Sequence, residues 1–253
     1  MQISRQTVHQ KTMKKIIYAI ILAKLSFFLL FGILIFSSNQ TVSLSQVKQT
    51  PTPNTNVSTD AINRPVSEPY TGDLSIFEDE NRAKNLQIDR VMDILKITEG
   101  KNVADIGAGS GWFTTRAAKR VGEKGKVFAV EINQEFINYI NERAKKENFK
   151  NIQTVLGTED DPKLPLNSID ACLILKTYHE IGEPIKVLQK LKKSFRKDGL
   201  LGIIDRNGRG DDHGIDKEKV IEEAKRAGFV LKEEFDFTKA DGMDYFLVFQ
   251  AAQ

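Results

Sequence analysis

From residue 80 onwards, stretches with the helical period of three to four residues alternate with short apolar runs. The first helix is predicted over residues 88–95, whose apolar positions recur at helical spacing, and Gly100 ends it. The further predicted helices cover residues 113–121, 133–148, 184–195 and 216–227. The apolar runs, which we interpret as strands, are residues 102–106, 126–130, 152–156, 171–175, 200–204, 231–237 and 245–250.

Alternation of strands with helices predicts an α/β domain built on a doubly wound, mostly parallel sheet of seven strands. The last two predicted strands are separated only by the polar loop 238–244, which contains Asp241 and Gly242. Because no helix fits between them, these two strands should pair antiparallel, as a reversed hairpin at the end of the sheet.

A different pattern marks the N-terminus. Residues 16–36 form an apolar run with one charge, Lys24, and as a helix this run would be about 30 Å long, enough to span a bilayer. The preceding segment, residues 1–15, is basic, which predicts a cytoplasmic N-terminus and a periplasmic or extracellular domain. We favour a retained single-pass transmembrane helix, a signal-anchor or uncleaved signal. Secretion after cleavage of a signal peptide beginning at Met13 is the alternative.

Composition then separates a linker from a domain. Residues 37–73 are rich in Ser, Thr, Asn and Pro and poor in apolar residues, which predicts a disordered linker before a domain at 74–253. The formal net charge of +3 comes from 37 basic and 34 acidic residues, and no basic footprint for nucleic acid is visible. The single cysteine, Cys172, excludes an intramolecular disulfide.

The most informative motif follows the first predicted strand. An apolar run ends in Asp105, and Gly107, Gly109 and Gly111 come at alternate positions before a helix. Glycine allows a ligand to approach the backbone closely, and a helix start offers free N–H groups. The spacing is one residue shorter than the dinucleotide fingerprint. Glu131, about 20 residues further on at the end of the second strand, is placed to accept hydrogen bonds from ribose hydroxyls.

Together these residues resemble the class I S-adenosylmethionine-dependent methyltransferases, over roughly residues 80–250. The resemblance implies the Rossmann-like methyltransferase fold with S-adenosyl-L-methionine as cofactor. It implies that the glycine loop packs against the amino-acid end of the cofactor and that a carboxylate after the third strand contacts the adenine. That loop offers Glu159, Asp160 and Asp161, with Thr158 and Glu159 the preferred pair. The predicted cofactor-binding residues are therefore Asp105, Gly107, Ala108, Gly109, Gly111, Glu131, Ile132, Thr158 and Glu159.

The ends of the fourth and fifth strands are where the resemblance places the acceptor pocket. Tyr178 is predicted to line it, His179 to act as a general base or only to line it, and Glu180 to orient His179 or bind a cation. Methyl transfer from a sulfonium can also proceed by alignment alone, without a base. Asp205 and Arg206 are either a further pocket pair or an ion pair between loops.

No metal site is predicted, although a set that combines His179, Glu180, Asp205 and His213 is conceivable. The predicted function is methyl transfer from S-adenosylmethionine to a small-molecule or lipid acceptor, with membrane attachment through residues 16–36 and no nucleic-acid partner. Two alternatives stay open: an NAD(P)-linked oxidoreductase, and a non-catalytic ligand-binding protein on the same fold.

Overall fold

The computed structural model describes Ile62 and residues 64–252. The predicted basic segment 1–15, the predicted transmembrane helix 16–36 and most of the predicted linker lie outside these residues. Within the described part of the chain, no helix has the length and hydropathy needed to cross a membrane.

Seven strands and six helices make up the described domain. The strands are Asn102–Ile106 (β1), Lys126–Glu131 (β2), Ile152–Leu156 (β3), Ile169–Leu175 (β4), Phe195–Asp205 (β5), Phe229–Phe235 (β6) and Tyr245–Ala251 (β7). The helices are Arg82–Asn85 (α1), Ile88–Ile94 (α2), Trp112–Val121 (α3), Gln134–Lys146 (α4), Pro184–Ser194 (α5) and Lys217–Arg226 (α6). Short 3₁₀ turns cover Leu74–Phe77, Tyr178–Glu180 and Phe237–Asp241.

The seven strands form one sheet in the order β3-β2-β1-β4-β5-β7-β6. Strands β1 to β5 pair in parallel, while β7 runs antiparallel to both β5 and β6. The predicted α/β class, the seven strands and the antiparallel final hairpin are therefore confirmed. The structure adds that β7 alone is reversed, inserted between β5 and β6. The strand order changes direction between β1 and β4, and such a switch point is where open α/β sheets bind ligands.

Side chains of the central strands alternate between two helical layers. On β4, Cys172 and Ile174 join the core that packs on α5 and α6, whereas Leu173 and Leu175 join the core that packs on α2 and α3. Cys172 is fully buried, so the only cysteine of the chain is a packing residue of this sheet. Burial on both faces explains why these strands read as continuous apolar runs.

Two boundaries differ from the prediction. Helix α5 ends at Ser194, one residue before the predicted end, because Phe195 enters β5 and packs edge-on against Phe229, with ring centroids 6.0 Å apart. The folded domain also begins before residue 74, so the predicted linker boundary is wrong at this end. Arg64 forms an ion pair of 2.8 Å with Glu223, and both side chains are almost fully buried. The Tyr178 hydroxyl donates to the second oxygen of Glu223 over 3.0 Å.

Replacing Arg64 by Ala should lower the free energy of unfolding by about 3–5 kcal/mol, because it leaves the Glu223 carboxylate buried without its cation. Lys239→Ala is the control, since it removes an exposed ion pair with Asp236 and should have a much smaller effect. Urea denaturation of both full-length variants measures the difference. Equal effects of the two substitutions would show that Arg64 does not stabilise the domain and that the domain begins near residue 74, as predicted.

Candidate active site

The loops after β1, β2, β3, β4 and β5 surround one cavity of about 1160 Å³ at the carboxyl edge of the sheet. The glycine loop and Glu131 lie at one end, which we call the glycine-loop end. His179, Glu180 and His213 also line the cavity, and we call their side the histidine end. A space somewhat larger than the roughly 300–1,000 Å³ of a typical small-molecule site therefore connects two chemically different ends.

The glycine loop is bent by positive φ angles and held close to the next strand end. Gly107 has a φ of +70°, and a Cβ at this position would collide with the side chain of Thr177, which follows β4. The N–H groups of Gly107 and Ala108 donate to the Val130 carbonyl over 3.0 and 3.2 Å. Only glycine at position 107 allows the loops after β1 and β4 to approach this closely.

Gly111 has a different role from the one predicted. It does not line the cavity but precedes α3 with a φ of +75°, and a Cβ there would lie 3.4 Å from Ile140 of α4. The left-handed φ is what favours glycine at this position. We therefore remove Gly111 from the cofactor-contacting residues.

Asp105 is a buried carboxylate at the floor of the glycine-loop end. Its side chain accepts a hydrogen bond of 2.6 Å from the Thr114 hydroxyl of α3. Burial raises the pKa of Asp105 to about 7, and the hydrogen bond from Thr114 opposes this shift only in part. The nearby Glu131 charge raises this pKa further.

Glu131 ties the end of β2 to the glycine loop. Its carboxylate accepts hydrogen bonds from the N–H groups of Gly109, at 2.6 Å, and Ile132, at 3.2 Å. Burial raises the pKa of Glu131, while these N–H donors act against the rise. The neighbouring Ile132 side chain lines the cavity and is 46% exposed, so it offers apolar surface to a ligand.

The residues of the acidic loop after β3 have two different roles: two form a salt bridge and two line the cavity. Asp160 and Asp161 lie 2.8 and 3.3 Å from the Lys190 ammonium, so they form a salt bridge to α5. Thr158 and Glu159 line the cavity instead. The preference for Thr158 and Glu159 over the two aspartates therefore agrees with their position.

At the histidine end, Asp205 fixes His179. Asp205 is fully buried, and its oxygens lie 2.9 and 3.0 Å from Nδ1 of His179. The backbone N–H groups of His179 and Arg206 donate to the same carboxylate over 3.3 and 2.9 Å. Burial raises the pKa of Glu180 to about 7, and a positive charge on His179 would partly oppose this rise. The sequence had placed Asp205 as a member of a loop ion pair or a pocket pair. It is the hydrogen-bond partner that orients His179.

Tyr178 is placed away from the cavity, which contradicts its predicted role. Its side chain is fully buried in the core beside α5 and α6, where it donates to Glu223. Burial and the Glu223 charge raise the pKa of its hydroxyl well above the ordinary value. Neighbouring residues on this short turn thus face opposite sides, and only His179 and Glu180 reach the cavity.

Sequence reasoning missed the segment before α1. Residues 66–71 and 76–77 line the cavity, although the Pro and Ser content of the first stretch had suggested a linker. Ser67 is buried, and its hydroxyl donates to the Gly210 carbonyl over 2.6 Å. Arg82 was also missed: its guanidinium lies over the Trp112 ring, 4.5 Å from the centroid, and lines the cavity. The aromatic residues Tyr70 and Phe77 within a polar stretch were the available signal.

Comparison with known proteins shows which family has this sequence and fold. A protein family described as "Methyltransferase domain" matches residues 97–228, just over half of the chain. A protein-L-isoaspartate O-methyltransferase of Methanococcoides burtonii is 30% identical over 112 residues, covering 44% of this chain and 52% of the relative. A demethylmenaquinone methyltransferase of Listeria welshimeri is 22% identical over 114 residues, covering 45% and 48%. The chain thus spans about half the length of these curated relatives.

Among solved structures, an S-adenosylmethionine-dependent methyltransferase from Aquifex aeolicus aligns with a TM-score of 0.63 and 26% identity. The alignment covers 71% of this chain and 98% of that structure. These matches favour a methyltransferase over the oxidoreductase and non-catalytic alternatives, and they support S-adenosylmethionine as the cofactor. The matched residues include the glycine loop, Glu131 and the histidine end of the cavity. On these grounds the chain belongs to the class I S-adenosylmethionine-dependent methyltransferases.

Proposed function

We propose that this enzyme transfers the methyl group of S-adenosylmethionine to a small-molecule acceptor bound at the histidine end. The observation that carries the proposal is the single cavity of about 1160 Å³ that joins the glycine loop to His179 and Glu180. Residues 66–71 form part of its wall, which favours a small molecule over a large polymer. The two curated relatives are named for different acceptors, a quinone and a protein residue, so the acceptor class rests on the cavity.

The glycine-loop end has the donor set that S-adenosylmethionine requires. Glu131 presents a carboxylate to the cavity for the ribose hydroxyls, and the exposed Ile132 offers apolar contact for the adenine. Thr158 and Glu159, which line the cavity after β3, are the polar residues proposed for the adenine amino group. The Arg82 guanidinium is suited to the carboxylate of the methionine moiety. When bound, the cofactor supplies a methyl group on a positively charged sulfur that is a good leaving group.

At the histidine end, this chain's residues bind and align the acceptor. Asp205 holds the Nδ1 edge of His179, so the Nε2 edge is the one available to a ligand. Glu180 adds a carboxylate on the same side. Alignment of donor and acceptor supplies a large part of the rate enhancement in such displacements. Tyr178 has no part in this alignment, because it is buried behind the turn.

An acceptor search tests the proposal directly. The full chain is incubated with S-adenosylmethionine carrying an isotope-labelled methyl group, together with separated aqueous, lipid and protein fractions of a cell extract. We expect the label in the aqueous small-molecule fraction, because the cavity wall limits the size of the acceptor. Label confined to the lipid fraction would favour the lipid acceptor that the sequence also allows and would contradict a water-soluble acceptor. Label in protein would contradict a small-molecule acceptor.

Replacing Glu131 by Gln should weaken S-adenosylmethionine binding by about 10- to 100-fold, since hydrogen bonds to a charged group contribute about 1.5–3 kcal/mol. Calorimetric titration of the purified protein measures the affinity. Glu135→Gln, an exposed change at the start of α4, is the matched control and should leave the affinity unchanged. An affinity of Glu131→Gln within twofold of the unmodified protein would remove Glu131 from the cofactor site.

Asp105 should make the cofactor-free enzyme less stable as the pH rises. Its folded-state pKa of about 7 lies above the ordinary 3.8, so the stabilisation from its protonated form is complete at low pH and lost as the pH rises through 7. Relative to Asp105→Asn, the unmodified protein should lose about 2–3 kcal/mol of unfolding free energy between pH 5 and pH 8. Urea titrations across this range measure the difference.

The exposed substitution Asp89→Asn serves as the control for this pH series, because the Asp89 side chain is 86% exposed. Its stability should run parallel to that of the unmodified protein at every pH. A parallel course for Asp105→Asn as well would show that the Asp105 carboxyl is not held in the protonated form by its burial.

A further inference from the structure

We propose that His179, Glu180 and His213 bind a divalent transition-metal ion at the histidine end of the cavity. One ligand atom from each of these residues lies within 4.8 Å of the other two. His179 and Glu180 are neighbours on the turn after β4, whereas His213 comes from the loop after β5. The sequence predicts no metal site, although these three residues belong to the one set that it makes conceivable, because only the fold shows how closely the two loops meet.

The orientation of His179 is fixed by Asp205. Its Nδ1 lies 2.9 Å from the fully buried Asp205 carboxylate, which already accepts two backbone N–H groups and therefore acts as an acceptor toward the ring. Nδ1 then carries a proton, and in the neutral ring Nε2 keeps its lone pair. A carboxylate behind a histidine in this way fixes the tautomer and ring orientation of metal-binding histidines.

The Glu180 carboxylate faces Nε2 of His179. The nearer Glu180 oxygen is 3.8 Å from Nε2, which is too long for a hydrogen bond. The Glu180 side chain is only 17% exposed, so two electron-pair donors face each other in a largely enclosed space. Two ligands of one zinc ion stand about 3.4 Å apart when each bond is about 2.0–2.1 Å and the geometry is tetrahedral. A small rotation of the Glu180 side chain would bring its oxygen to that spacing.

The position of His213 is fixed by its backbone contacts. Its φ of +57° is a left-handed conformation that a residue other than glycine rarely adopts. Its N–H donates to the Ser67 hydroxyl over 3.1 Å, and its carbonyl accepts from Arg206 Nε over 2.7 Å. The His213 ring lies edge-on to that of His179, with centroids 5.9 Å apart. These contacts hold the His213 ring beside that of His179.

The ligand chemistry decides the class of ion. Two imidazole nitrogens and one carboxylate oxygen suit zinc, cobalt or iron, whereas magnesium and calcium prefer oxygen ligands. Three protein ligands leave at least one coordination position open toward the cavity. If the proposed function holds, that position would bind an oxygen or nitrogen atom of the methyl acceptor. The acceptor would then be a small molecule with a metal-coordinating group.

Cobalt(II) is the probe for the test. The full chain is stripped with a chelator and titrated with Co²⁺ while visible absorption is recorded, and zinc is then added as a competitor. We expect one Co²⁺ per chain, displaced by Zn²⁺ but not by an excess of Mg²⁺. Glu180→Gln and His213→Ala should each weaken Co²⁺ binding by about 100-fold or more, since loss of an outer-shell partner alone costs about 10- to 100-fold.

Two controls separate this site from other ligands in the chain. His9→Ala removes the third histidine of the sequence, and Glu183→Gln removes a half-exposed carboxylate beside the turn. Neither should change Co²⁺ affinity. The variants avoid His179 and Asp205, whose buried pairing contributes to the fold.

S-adenosylmethionine affinity, measured on the same samples, distinguishes this proposal from the proposed function. Retained cofactor binding in Glu180→Gln and His213→Ala, together with lost Co²⁺ binding, supports a metal site separate from the cofactor. Co²⁺ binding that is absent from the unmodified protein, or unchanged in both variants, overturns the metal site whatever the cofactor result. Loss of cofactor binding with intact metal binding would count against the proposed function alone.

Discussion

Three carboxylates buried at the carboxyl edge of the sheet determine how the loops around the cavity are arranged. Asp105, Glu131 and Asp205 lie on β1, β2 and β5, and each is less than one-tenth exposed. A buried carboxylate that lacks hydrogen-bond donors costs several kcal/mol, so each must recruit donors from nearby segments. The donors recruited are the Thr114 hydroxyl, the Gly109 N–H and the His179 ring. The hydrogen bonds that satisfy these buried carboxyl groups are therefore the same contacts that shape the site.

The segment before α1 completes the same arrangement from outside the sheet. The hydroxyl of Ser110 in the glycine loop donates to Glu78 over 2.6 Å, and Arg143 of α4 donates to the same carboxylate and to the Ser110 carbonyl. Ser67 makes the corresponding link at the histidine end, through Gly210 and His213. One stretch of chain thus contacts the glycine loop and the loop after β5, which lie at the two ends of the cavity. A change in this stretch would alter both ends together.

Local patterns made the fold and the glycine-loop end predictable. Strand β1 was predicted with its observed bounds, and Asp105, Gly109 and Glu131 line the cavity as expected, because a strand, a tight turn and a helix start follow each other within one short segment. The errors arose where position depends on contacts distant in sequence. Tyr178 is drawn into the core by Glu223, 45 residues away, and Gly111 faces Ile140 rather than a ligand. No periodicity in a turn of three residues separates Tyr178 from His179.

This difference between the two ends explains why the family is easier to infer than the acceptor. The glycine-loop end is built from the N–H groups of the loop after β1 and from Glu131 at the end of the adjacent strand β2. The spacing of these residues is visible in the sequence. The histidine end depends on the contact between Ser67 and the loop at 206–215, across 143 residues to Gly210 and 146 to His213. Long-range contacts of this kind leave no local signal. If the acceptor binds at the histidine end, as proposed, its specificity depends on the segment around Ser67 and on the loop at 206–215.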